Sequence, residues 1–244
     1  MKANNAAPLD AILFDLDGTL LRVQMAEFIP RYVEGLASCF TPYAKPKKFA
    51  RVMLGAIRGL IRDEGDGQQT NQQRVYSILQ QHLAIPQQAA REAFQSYAAE
   101  QLDSLQELVQ PIPLARQILL DCQQRGIKLV LATNPVFPAF MIQARLRWGD
   151  LEDIHFSHLT STENSCYCKP QSGYFREIVE QLQLAPENCM MVGNDTLQDL
   201  SAAAVGIETF LVDTWVVERE GRQWSSDHRG NHDELRRFLH ARLA

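Results

Sequence analysis

Apolar positions along the chain fall into two patterns. Short runs that stop abruptly at polar residues occur at 11–14 before Asp15, at 127–132 before Thr133 and at 189–192 before Gly193. A fourth run, 207–212, follows Gly206, and a weaker one lies around 154–156. Their length and β-branched content suit buried strands, although periodicity by itself does not separate such runs from buried helix. Amphipathic segments of helical length lie between the later runs: 113–125 closing at Gly126, 138–147, 173–184, and 197–205 closing at Gly206. A glycine just past a helix is a common left-handed cap. Strand alternating with helix predicts right-handed crossovers, hence an α/β, Rossmann-like parallel sheet with helices on both faces. Such sheets bind ligands at the carboxyl ends of their strands.

The stretch from about 22 to 110 reads differently. It contains no convincing strand and divides into four helices, at 24–39, 47–63, 70–84 and 87–108. Breaks fall at 41–46, at Gly65-Asp66-Gly67 and at Pro86, and Pro30 predicts a kink or break in the first helix. Pro111-Ile112-Pro113 reads as a hinge back to the sheet. The expected organisation is therefore a core of residues 1–21 and 111–244 with an all-helical insert at 22–110. A final helix is expected at 233–242, after a polar loop that holds His228 and His232.

Composition narrows the class. The chain has 244 residues, a net charge of −5 and 45% hydrophobic content. That is enough for a large core without staples and excludes wholesale disorder. The acidic balance argues against nucleic acid or an anionic membrane as partner. Five cysteines are an odd number in a long chain, which suits a reducing compartment rather than a disulfide framework. With no secretory signal pattern and no membrane-length apolar stretch, a soluble cytoplasmic protein is expected. Within the insert, residues 22–62 carry eight cations against Glu27 and Glu34. A solvated helical surface accounts for that excess, or some of these cations face an anionic substrate.

Chemistry concentrates where the strands end. Asp15 and Asp17, two apart on an extended chain, would sit roughly 6–7 Å apart on one side. One can serve as nucleophile while the other handles protons if their environments separate their pKa values. Acids also end strands simply because they meet solvent. Thr133 and Asn134 offer a hydroxyl and a backbone N–H, a natural phosphate seat at a helix start or merely a cap. Asp195 and Asp199 are i, i+4 and share a face if a helix begins there. With Asp15 they present the hard oxygens Mg²⁺ prefers, or they cap a helix. Lys169, followed by Pro170, is a loop cation that could offset repulsion among several acids and a phosphoryl group, or is solvated.

Taken together, Asp15-Leu16-Asp17-Gly18-Thr19-Leu20, Thr133, Lys169-Pro170 and Gly193-Asn194-Asp195 to Asp199 resemble the four ordered motifs of the haloacid dehalogenase-like (HAD) hydrolases. The helical insert resembles that superfamily's cap. The resemblance implies a Mg²⁺-dependent phosphatase acting on a small phosphorylated metabolite. In it, Asp15 attacks phosphorus and forms an aspartyl-phosphate. Asp17 protonates the leaving alcohol, then activates water, and its backbone carbonyl binds Mg²⁺. Thr133 and the Asn134 N–H hold phosphoryl oxygens, and Lys169 pairs with the nucleophile and the phosphoryl group. Asp195 coordinates the metal, and Asp199 supports the metal or orients Lys169. Asn194 and Asp195 compete for the first acidic position of the fourth motif, and only Asp195 brings a carboxylate. A phosphosugar mutase is the same-fold alternative, and a non-catalytic phosphometabolite-binding protein is the alternative from another class. Asp17 argues against dehalogenase chemistry, which needs no such acid.

Two further expectations concern particular residues. Arg22, Arg51, Arg58 and Arg62 hint at a second anionic group on the substrate. Cys166-Tyr167-Cys168 lacks zinc-site spacing, and the adjacent Lys169 would favour a reactive thiolate at Cys168.

Overall fold

A computed structural model describes residues 8–221 and 224–243. Its main sheet has six parallel strands in the order β5-β4-β1-β6-β7-β8. They are β1 (Ala11–Phe14), β4 (Lys128–Leu131), β5 (His158–Leu159), β6 (Cys189–Gly193), β7 (Glu208–Val212) and β8 (His228–Gly230). The apolar runs are short because each strand is short, and they are continuous because the central strands are covered on both faces. Ile12, Phe14, Leu131 and Val192 face one apolar cluster, while Ala11, Leu13, Val130 and Met191 face another with Tyr174, Phe175 and Ile178. Phe14 pairs with both Leu131 and Val192, so the residues after β1, β4 and β6 emerge side by side.

Helices α5 (Pro113–Gln124), α6 (Ala139–Trp148), α7 (Ser172–Gln181) and α8 (His232–Arg242) belong to the sheet region. Gly126 and Gly206 have φ of +77° and +87°, the left-handed stops expected of them. The segment expected as helix 197–205 is instead a 3-10 run, Leu200–Val205. The weak strand signal at 154–156 belongs to loop residues, since Ile154 and Phe156 are buried while pairing starts at His158.

Four helices occupy the insert: α1 (Met25–Cys39), α2 (Pro46–Arg62), α3 (Asn71–Leu83) and α4 (Gln87–Glu100). Thr70 and Gln73 form a reciprocal capping box that starts α3. Pro30 lies inside α1 without ending it, and 102–108 is a separate 3-10 run rather than the end of α4. The insert is not strand-free. Leu21–Val23 (β2) and Val109–Pro111 (β3) pair antiparallel where the chain leaves and re-enters the sheet region. Nor is the tail segment before α8 a free loop. His228 sits on β8 and contacts Glu208 at 2.7 Å, while His232 donates from Nε2 to the Thr19 carbonyl at 2.8 Å. No helix among the described residues is long and apolar enough to cross a membrane.

Candidate active site

The three strand ends open into a cleft of about 640 Å³ between the sheet edge and the insert. Asp15, Asp17, Thr133, Asn134, Asp195 and Asp199 all line it. Asp15 is the first residue past β1, and its N–H is held by the Val192 carbonyl at 2.9 Å. The loop then turns sharply at Gly18, which has φ +91°. Gly18 is needed for a second reason, because a Cβ there would collide with Asn194 Nδ2. Asn194 in turn donates to the Trp215 carbonyl at 2.6 Å. It braces two loops, whereas Asp195 presents a carboxylate.

Lys169 lies at the floor. Its ammonium contacts Asp15 Oδ1 at 2.8 Å and Asp199 Oδ1 at 2.6 Å, with only 1% of its side chain exposed. Burial alone would lower its pKa, but the Asp15 and Asp199 carboxylates more than reverse this, so Lys169 stays a cation. Burial pushes the Asp15 carboxyl up, to about 7, against the pull of Lys169 and with help from Asp199 and Asp17. Burial likewise raises Asp199, again opposed by Lys169. Two carboxylates thus share one buried cation and are one positive charge short of neutral.

Asp199 has no oxygen to spare. Its second oxygen accepts the Asp195 N–H at 2.9 Å, and a Cβ on Gly193 would collide with it. Asp195 Oδ1 accepts the N–H groups of Leu197 and Gln198, at 3.0 and 2.8 Å, and its Oδ2 is engaged by Arg219. Asp15 Oδ2 accepts no hydrogen bond among the described residues.

Thr133 is fixed through its carbonyl, which accepts from Thr160 at 2.7 Å and Tyr174 at 2.9 Å. Asn134 donates to the Lys169 carbonyl and to Gln198, and its Oδ1 is buried without a partner. The expected helix start at these residues is displaced. α6 begins at Ala139, whose N–H is taken by Glu163 at 3.0 Å, so the helix dipole does not act at Thr133.

Two arginines that sequence reasoning did not single out pair with the cleft's carboxylates. Arg145, on α6, is fully buried and contacts Asp17 Oδ2 at 2.6 Å. Its guanidinium lies 4.7 Å from the Phe137 ring centroid and 5.6 Å from that of Phe28. Arg219 is the Asp195 partner already described. Of the four arginines expected to face an anion, only Arg22 lines the cleft, 5.7 Å over the Trp215 ring. Arg51, Arg58 and Arg62 lie exposed on α2. All five cysteines are free, and burial pushes the Cys168 thiol up to about 12, which removes the expected thiolate.

A family model, haloacid dehalogenase-like hydrolase, matches residues 9–206. The chain belongs to the HAD hydrolases. Solved structures of this group share its architecture across nearly the whole chain. A HAD phosphatase from Thermococcus onnurineus is 22% identical, covers 95% of this chain and 98% of its own, and superposes with a TM-score of 0.57. CbbY from Rhodobacter sphaeroides, in complex with phosphate, is 19% identical over 93% and 96%, with a TM-score of 0.57. The L-2-haloacid dehalogenase RSc1362 is 14% identical over 96% and 100%, with a TM-score of 0.56. A comparison with curated protein sequences finds no match. These likenesses are of fold, and the fold serves both phosphorus and carbon–halogen chemistry, so the choice between them rests on the site.

Proposed function

We propose that this HAD hydrolase is a Mg²⁺-dependent phosphatase that hydrolyses a small organic phosphomonoester through an aspartyl-phosphate. The observation that carries the reading is the presence of Asp17 in the same cleft as Asp15. A phosphate ester must lose an alkoxide, which needs a proton, whereas a departing halide does not.

Lys169 donates to Asp15 Oδ1, which leaves Oδ2 to attack phosphorus. The P–O bond to the alcohol breaks, and Asp17 gives the leaving oxygen its proton. Asp17 then takes a proton from water as that water attacks the acyl-phosphate. The phosphorus–Asp15 bond breaks, and inorganic phosphate leaves. Thr133 and the Asn134 N–H hold phosphoryl oxygens, and the buried Lys169 charge offsets repulsion between anions. Splitting one displacement into two is a sound route for a reaction whose catalysed rate can exceed the spontaneous one by up to ~10²¹.

The donor set fits Mg²⁺ in kind. Asp15, the Asp17 carbonyl and Asp195 offer hard oxygen donors, and this ion keeps several waters rather than a full protein cage. Bound there, Mg²⁺ would neutralise charge on the transferring group. Asp199, with both oxygens committed, fits the orienting of Lys169 better than metal ligation. The helical segment 22–110 acts as a cap, excluding bulk water and choosing the leaving group.

The test is phosphate release from a panel of phosphomonoesters with Mg²⁺ or with chelator. Release should require Mg²⁺ and fall at least about a thousandfold in Asp15→Asn. Halide release from haloacids, with no phosphate release, would overturn the reading in favour of dehalogenation.

A further inference from the structure

The wall that faces the acids is apolar, and this bears on what the leaving alcohol can be. From the insert, the cleft is lined by Val23, Met25, Ala26, Ile29, Ile57 and Ile61, and the only polar side chains there are Arg22 and Gln24. Phe137, Trp215 and Val217 add to the apolar lining. Trp215 and Val217 are each 38% exposed, and with Tyr43 they are the most exposed large apolar side chains among the described residues. The cation-rich face of α2 carries Arg51, Arg58 and Arg62 but turns them outward, so it supplies no partner to a second anionic group.

From this lining we infer that the substrate is the phosphate monoester of an apolar alcohol, branched alkyl or aryl, rather than a polyol or sugar phosphate. The inference rests on the phosphatase reading and names the substrate class of that same site. A polyol bound here would place its hydroxyls against Val, Ile and Met side chains. Each hydroxyl left without a partner weakens binding, because its hydrogen bonds to water are not replaced. An alkyl or aryl body instead gains in proportion to the apolar area it removes from water. Apolar pockets discriminate only modestly against a hydroxyl, by ~10² for one added group. The expected preference is therefore about a hundredfold, not absolute.

The deciding comparison uses 3-methylbutyl phosphate and glycerol 1-phosphate, two alkyl esters of similar size and leaving-group reactivity. The wild-type protein should show kcat/KM about a hundredfold higher for the methylbutyl ester. Met25→Gln and Ile61→Gln, at two partly buried wall positions, should each narrow that ratio about tenfold, mainly through KM of the apolar ester. Equal or better turnover of the glycerol ester by the wild type overturns the inference and leaves the phosphatase reading intact. If neither ester is hydrolysed, the wider panel decides the phosphatase reading, and calorimetric titration of Asp15→Asn with the same two esters decides the pocket. Tighter binding of the methylbutyl ester supports the apolar assignment, and equal or weaker binding overturns it.

Discussion

A guanidinium with no solvent contact needs other groups to replace its water, and Arg145 has a carboxylate and two ring faces. Asp17 takes one of its N–H groups, and Phe137 and Phe28 flank the cation, while Nε and Nη2 find no hydrogen-bond partner. Asp17 Oδ1 is buried and equally unpartnered, so the pair holds this carboxylate in one place at some cost. If Arg145 positions the acid, its loss should hurt most where a leaving group needs a proton. Arg145→Met is expected to lower kcat for an alkyl phosphate at least tenfold more than for nitrophenyl phosphate, whose leaving group departs without help. An equal loss for both esters would assign Arg145 a purely structural role. The difference in how these residues can be read is physical. Asp15, Asp17, Thr133 and Asp195 interrupt apolar runs, so their place at a sheet edge is legible from the chain. Arg145 lies on a helix among Ala144, Leu146 and Arg147, and an arginine there reads as an outer face until tertiary contacts show otherwise.

At the level of elements, the central strands and the insert helices were legible because burial on one or both faces imposes a periodicity. What escaped reading was short and defined by its partner. β2 and β3 have three residues each and exist only as a pair, and β8 (His228–Gly230) is polar because it forms the sheet's edge. The loop after β7 matters more for function than its sequence suggests. Val217 N–H donates to the Asn194 carbonyl at 2.8 Å, and this brings Arg219 onto Asp195. A cation already seated on a proposed metal ligand competes with the metal. Arg219→Ala should therefore bind Mg²⁺ more tightly, by about three- to tenfold in Kd, when titrated calorimetrically without substrate. Unchanged or weaker binding would remove Asp195 from the ligand set or Arg219 from competition with the ion.

Across the whole molecule, the insert and the sheet region share one apolar core and several polar ties. Phe28 and Tyr32 of α1 pack edge-on against Phe137. Asn71, fully buried at the start of α3, donates to the Pro135 and Tyr167 carbonyls, at 3.2 and 3.3 Å. Gln171 reaches the Leu60, Ile61 and Asp63 carbonyls at the end of α2 and accepts the Gly65 N–H. The Gln171 bonds join the helix that carries Ile57 and Ile61 to the segment that follows Lys169. The polar ties could not be read from the chain, because they span 64 to 111 residues and use uncharged side chains. The arrangement seats a shared cation and two acids beside an apolar wall, and the proposed phosphatase activity requires a covalent phosphoryl group on Asp15. The most direct test is acid quench during turnover with Mg²⁺, borohydride reduction and peptide mass spectrometry. An aspartyl-phosphate predicts conversion of Asp15, and of no other carboxylate, to homoserine. Sustained phosphate release with Asp15 unmodified would contradict it.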